Sequence, residues 1–124
     1  MDLRTKETRD KYHSYRENLR SNSGCRFCEE YPLEEEGPFR HWKIIPNIFP
    51  YDLIAEKHDL LVPKRHFKNE NEMTPEERNE LFSIKTEMLP EFSDYHSIFE
   101  NFSRARSMEH YHLHLLRYKP DLEE

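Results

Sequence analysis

The chain has 124 residues, with 19 basic and 25 acidic side chains and a formal net charge of -6. That balance argues against a surface built to coat the phosphate backbone of DNA or RNA. A mean hydropathy of -1.09 leaves no apolar run long enough to span a membrane, and two glycines, Gly24 and Gly37, are too few for a Gly-rich phosphate-binding loop.

The length suits one domain, residues 1–124, with a lean core in which aromatic side chains carry much of the packing. Met1-Asp2-Leu3-Arg4 is charged and lacks the apolar core of a signal peptide, so the expected compartment is the cytoplasm. Residues 2–21 read as a helix with a narrow stripe of Tyr12, Tyr15 and Leu19, lying across the surface as an N-terminal extension (residues 1–22). Cys25 and Cys28 form a CxxC turn, which suits metal or redox chemistry better than a disulfide scaffold. An acidic loop follows over residues 29–40.

Strands are expected near residues 41–47 and 57–62, joined by a turn at Pro50-Tyr51-Asp52. Thr74, Pro75 and Glu77 form a capping-box start for a helix over residues 74–90, with Leu81, Phe82, Lys85, Met88, Leu89 and Phe92 as its apolar face and Pro90 as its stop. Residues 97–102 read as a strand, 103–107 as a polar loop and 109–118 as a closing strand. The order gives an antiparallel α+β domain.

The most informative stretch is Glu109-His110-Tyr111-His112-Leu113-His114-Leu115-Leu116. In a strand the three histidines share one face, about 6–7 Å between neighbours and about 13 Å end to end, and Tyr111, Leu113 and Leu115 take the other. One metal ion can be shared by neighbours but hardly by the outer pair, so the three do not all do the same job.

His110 through Leu116 resembles the signature of the histidine triad superfamily. Lys57-His58-Asp59-Leu60-Leu61-Val62-Pro63-Lys64-Arg65-His66 resembles the family's second recurring block, and Cys25-x-x-Cys28 is similar to the pair of its zinc-containing branch. The resemblance covers residues 25–118. It implies an antiparallel sheet of about five strands with two main helices, and transfer or hydrolysis of a nucleotidyl group at the α-phosphate. It implies His112 as nucleophile through a covalent nucleotidyl-histidine, His114 on the transferred phosphate, His58 beside the nucleophile, and Ser107 on the phosphate or leaving group. It also implies a structural zinc ion on Cys25, Cys28, His66 and His110.

Candidate substrate contacts are Asn47 or Asp52 for the ribose, together with Asn101, Arg104 and Arg106. The two arginines stand where relatives carry Gly-rich sequence, and are either phosphate donors or a solvated loop. Trp42, Phe49 and Tyr51 are candidates to hold a base or to pack. The expected partner is a nucleotide or nucleotide conjugate, without membrane or nucleic-acid duplex, and a homodimer is possible. The rival functions are a non-catalytic nucleotide-binding or protein-interaction module on the same fold, and a tris-histidine metalloenzyme.

Overall fold

The computed structural model describes residues 2–20, 25, 27, 28, 31, 36–102 and 110–120, with the backbone alone over residues 16–20. Helix α1 spans Lys6–Arg20. Four strands follow: β1 (Trp42–Pro46), β2 (Ala55–Pro63), β3 (Ser97–Phe99) and β4 (Leu113–Tyr118). They form one antiparallel sheet in the order β1-β2-β4-β3. Among the described residues the sheet has four strands rather than the expected five, and β3 is shorter than the 97–102 run. The regular strand β4 starts at Leu113, so His110 and His112 lie in the segment that leads into it.

The second helix begins as the capping box requires. Thr74 Oγ1 accepts from the Glu77 N–H at 3.1 Å and Glu77 Oε1 accepts from the Thr74 N–H at 2.8 Å. Helix α2 runs Pro75–Ser83, passes through a π-helical turn at Ile84–Met88, and continues as the short helix α3, Leu89–Phe92. Pro90 therefore does not end the helix. Its missing N–H and its ring conflict with an ordinary α-turn, and the preceding turn widens, with the Leu89 N–H reaching the Ile84 carbonyl.

The apolar face also differs from the expected one. Leu81 and Ile84 are buried, with Met88 and Leu89 packed on the same cluster, whereas Phe82 and Phe92 are 67% and 79% exposed. The stripe that packs is Glu77, Leu81, Ile84 and Met88, at spacings of four, three and four. It lies on the sheet face of Trp42, Leu61, Leu113 and Leu115. The Trp42 indole N–H donates to the Glu77 carbonyl at 2.9 Å and fixes helix to sheet. Truncating Ile84 to Ala in this close-packed layer would cost about 2–5 kcal/mol. No helix among the described residues is long and apolar enough to cross a membrane.

Helix α1 docks on the loop between β1 and β2. The rings of Tyr12 and Tyr15 lie 5.6 and 5.2 Å from that of Phe49. Asp52 holds its start: its carboxylate accepts from the Thr5 N–H at 2.7 Å and from the Thr5 and Thr8 hydroxyls at 3.1 and 2.5 Å.

Candidate active site and metal centre

Residues paired directly across antiparallel strands share a face. The register pairs Ile45 with Leu60, Leu60 and Phe99 with His114, and His58 with Leu116. These side chains line the face opposite the helices. His112, two residues before His114, joins them. Alternation thus takes His58, His112 and His114 to one face while Leu61, Leu113 and Leu115 close the helical core. His58, His110, His112 and His114 are all buried.

The hydrogen bonds decide which ring nitrogens carry protons. His112 Nδ1 lies 2.9 Å from the His110 carbonyl oxygen. A carbonyl only accepts, so Nδ1 is protonated, and in the neutral ring the lone pair is on Nε2. His58 Nδ1 accepts from the Tyr51 N–H at 3.0 Å, so His58 Nε2–H donates to His114 Nδ1 at 2.8 Å. His114 then carries its proton on Nε2, which lies 3.4 Å from Asn101 Nδ2. Two donors do not bond, so this tautomer pairs with Asn101 once its amide is turned over to present the oxygen. Asn47 accepts the Phe49 N–H at 2.9 Å through Oδ1, and its NH₂ lies 3.4 and 3.3 Å from His58 Nδ1 and Nε2.

Burial dominates the titration of this pair. It pushes His58 down to about 4, helped by the positive charge of Arg4 and by His112. His114 is pushed down further for the same first reason, with His112, His58 and Arg4 adding to it. Both rings are therefore neutral at physiological pH. The ring of His114 is stacked on Phe99 at 4.8 Å and on Tyr51 at 5.4 Å, which accounts for its burial.

A second cluster lies at the upstream end of the histidine segment. Cys25 Sγ and Cys28 Sγ are each 3.5 Å from His110 Nδ1. His66 Nδ1 is 3.6 Å from Cys28 Sγ and 3.0 Å from His110 Nδ1. All four donor atoms lie within 4.8 Å of one another, and they could hold a metal ion. His110 Nε2 donates to the Pro63 carbonyl at 2.9 Å, which leaves its Nδ1 lone pair facing the two sulfurs and His66. The Phe27 ring packs edge-on against both His110 and His112 at 5.6 Å, separating the two clusters with an apolar wall.

The sequence-predicted residues fall into three groups. His58, His112, His114, Asn47 and Asn101 come together on one face, and Cys25, Cys28, His66 and His110 come together at the other cluster. Asp52 lies in the same loop as Asn47, but its carboxylate is taken up by Thr5 and Thr8; burial alone pushes it up, and those hydrogen bonds outweigh burial and hold it below the usual carboxylate range. Ser107, Arg104 and Arg106 lie outside the described residues. Trp42 is fully buried on the helical side, and Phe49 packs under Tyr12 and Tyr15. Sequence reasoning missed two groups: the Tyr51 backbone N–H, which fixes the tautomer of His58, and Arg4, brought in by the N-terminal segment. No local pattern marks either one. Among the described residues the only cluster of metal-binding type is the Cys/His one, and His112 is not part of it.

The profile of the HIT domain matches residues 41–120, about two thirds of the chain. Among solved structures, a HIT family hydrolase from Legionella pneumophila Philadelphia 1 is similar: 25% identical, with a TM-score of 0.50, covering 76% of this chain and 92% of that one. No curated protein sequence matches. The matched region holds β1 to β4, His58, His66 and the whole histidine segment. With its fold, its histidine segment and the profile in agreement, the chain belongs to the HIT domain family.

Proposed function

We propose that this protein binds a nucleotide conjugate and that His112 attacks its α-phosphorus, giving a covalent nucleotidyl-histidine that is then hydrolysed or passed to an acceptor. The observation that carries this reading is the tautomer of His112. Its Nδ1–H is tied to the His110 carbonyl, so Nε2 offers a lone pair without first losing a proton. The N–P bond forms as the bond to the leaving group breaks, and the Nδ1 hydrogen bond to a carbonyl stabilises the cationic ring that results. Water then attacks the same phosphorus and loses a proton to solvent as the N–P bond breaks, and the imidazole departs neutral with its Nδ1–H intact.

Around this nucleophile each residue has one task. His114 points Nε2–H toward Asn101 and donates to a phosphate oxygen as charge develops. His58 keeps His114 in that tautomer by donating to its Nδ1. Asn47 takes the ribose in preference to Asp52, whose carboxylate is already engaged by α1. Ser107 takes the leaving group or phosphate, and Arg104 and Arg106 are phosphate donors.

We assign zinc to the Cys/His cluster. At ordinary zinc bond lengths a tetrahedral site has sulfur–nitrogen edges of about 3.6 Å and nitrogen–nitrogen edges of about 3.3 Å. Three of the four sulfur–nitrogen distances are 3.5, 3.5 and 3.6 Å, the nitrogen–nitrogen distance is 3.0 Å, and all four donor atoms lie within 4.8 Å of one another. Bound there, the ion supplies a structural crosslink among Cys25, Cys28, His66 and His110, with all four positions filled by protein.

The test is turnover over a panel of nucleoside phosphoramidates, dinucleoside polyphosphates and nucleotide sugars, with His112→Ala in parallel and a folding check on both proteins. Release of nucleoside monophosphate by the wild type alone supports the reading. Tight nucleotide binding with no turnover favours a non-catalytic binding module instead.

A further inference from the structure

One residue touches both imidazoles of the His58–His114 pair. The Tyr51 N–H donates to His58 Nδ1 at 3.0 Å, and the Tyr51 ring lies 4.5 Å from that of His58 and 5.4 Å, nearly parallel, from that of His114. Tyr51 sits in the loop between β1 and β2, and that loop is tied to the N-terminal segment, which lies outside the residues the HIT profile matches. Arg4 Nε–H donates to the Phe49 carbonyl at 2.7 Å, the Leu53 N–H donates to the Leu3 carbonyl at 3.0 Å, and the Asp52 carboxylate is held by Thr5 and Thr8. The Arg4 guanidinium, ion-paired with Asp2 at 3.6 Å, lies over the Tyr12 ring at 4.1 Å and over the Tyr51 ring at 4.8 Å. Residues 49, 52 and 53 and the ring of residue 51 are thus all fixed from residues 3–8.

What depends on this anchoring is a direction. Two neutral imidazoles joined by one hydrogen bond have two arrangements. In the first, His58 Nε2–H donates to His114 Nδ1, and the outward Nε2 of His114 carries a proton. In the second, His114 Nδ1–H donates to His58 Nε2, and His114 Nε2 is left with a lone pair. The 2.8 Å between the two rings fits either one, and Asn101 serves either one by turning its amide over. Only the first can donate to a phosphate oxygen. The choice is made at His58 Nδ1, which accepts in the first and carries a proton in the second. The Tyr51 N–H, aimed at that nitrogen, permits only the first. The Asn47 NH₂ lies 3.4 Å from the same nitrogen, at the limit of a hydrogen bond, and it stands on the same loop.

We propose that the N-terminal segment sets the direction of this imidazole relay, with Arg4 as a positioning residue: by capping and holding Tyr51 it keeps the Tyr51 N–H on His58, and so keeps the proton of His114 on the outward nitrogen. The proposal rests on the donor role given to His114 in the reaction above. Arginine suits the task because its Nε–H reaches the Phe49 carbonyl while its flat face lies on two rings. Glutamine keeps a donor but loses the cation over both rings.

The experiment reads the tautomers directly. Long-range proton–nitrogen correlation NMR on the labelled full chain at neutral pH separates a protonated ring nitrogen from a bare one, with signals assigned through His58→Asn and His114→Asn. In the wild type both rings are expected to show a bare Nδ1 and a protonated Nε2. In Arg4→Gln the two nitrogens of each ring shift toward each other, as in a mixture of tautomers. Thr74→Ala, which weakens the fold at α2 and not at the loop, keeps the wild-type pattern. Tyr51→Leu, which keeps the N–H but loses the ring under Arg4, mixes the tautomers as well and decides the matter should Arg4→Gln not fold. Wild-type tautomers in folded Arg4→Gln or Tyr51→Leu overturn the proposal. Mixing in Thr74→Ala as large as in Arg4→Gln also overturns it, as the mark of general loosening. The reverse tautomer in the wild type removes the donor role of His114 from the proposed function, and this proposal with it. Turnover that depends on His112 beside unchanged tautomers in the variants removes only the role given to Arg4.

Discussion

Acid should destabilise this fold by an amount that counts its neutral buried histidines, and His58 can be isolated in that count. Burial depresses its folded-state pKa to about 4, against about 6.5 in the unfolded chain. Below the unfolded value the unfolded chain takes up a proton that the native ring refuses. The stability gained by keeping the ring neutral is thus complete above about pH 6.5, and it is lost as pH falls toward the folded value. Between pH 7.5 and 5.5 one such histidine costs about 1.4 kcal/mol, a tenfold change in the folding constant. His114, more strongly depressed, adds about the same, so the pair costs about 2.7 kcal/mol in the wild type. His58→Asn removes one of the two titrations, and its loss over the same interval should be smaller by about 1.4 kcal/mol. Urea unfolding of both proteins at the two pH values measures this. The metal ligands titrate in both proteins and cancel in the comparison. Equal losses in wild type and variant would mean that His58 takes up its proton in the folded state, and would refute its neutral, donor-to-His114 assignment.

Three further outcomes follow from the geometry. Purified protein never exposed to chelator should carry close to one zinc per chain by elemental analysis, and Cys28→Ser should lose most of it and unfold at a clearly lower temperature. Asp52→Ala removes three hydrogen bonds at the start of α1, and should cost about 0.5–2 kcal/mol in urea unfolding while raising hydrogen exchange in α1 more than in the sheet. Thr74→Ala breaks the capping box of α2 and should cost a similar amount, about 0.5–2 kcal/mol, without changing nucleotide affinity.

Alternation and spacing made part of this site readable in the sequence. His112 and His114 had to share a face because they stand two positions apart in an extended segment, and the i, i+4 distance implied that the three histidines do not all do the same job, while the metal role expected of His110 came from the family resemblance. The capping box at Thr74 and Glu77 was equally local, since both halves of the motif lie within one turn. What stayed hidden depends on tertiary packing. Asp52 looks like any acidic loop residue until Thr5 and Thr8, more than forty positions upstream, are seen to occupy its carboxylate. The helix passes through Pro90 because the π-helical turn before it absorbs the missing N–H, and that turn rotates the residues after it so that Phe92 points outward, whereas Ile84 faces inward by ordinary helical spacing from Leu81. Arg4 lies in a charged N-terminal run like many solvated ones, and only the fold brings it over Tyr51.

The central claim, that His112 is the nucleophile, is tested most directly by trapping the intermediate. Protein is mixed for milliseconds to seconds with a conjugate labelled in the nucleotide, quenched in alkaline denaturant to protect an acid-labile N–P bond, and stripped of free nucleotide. The account predicts label on the denatured chain at a peptide containing His112, and no label with His112→Ala. Full turnover with no trapped label at any quench time, or label on the chain of His112→Ala, would contradict it.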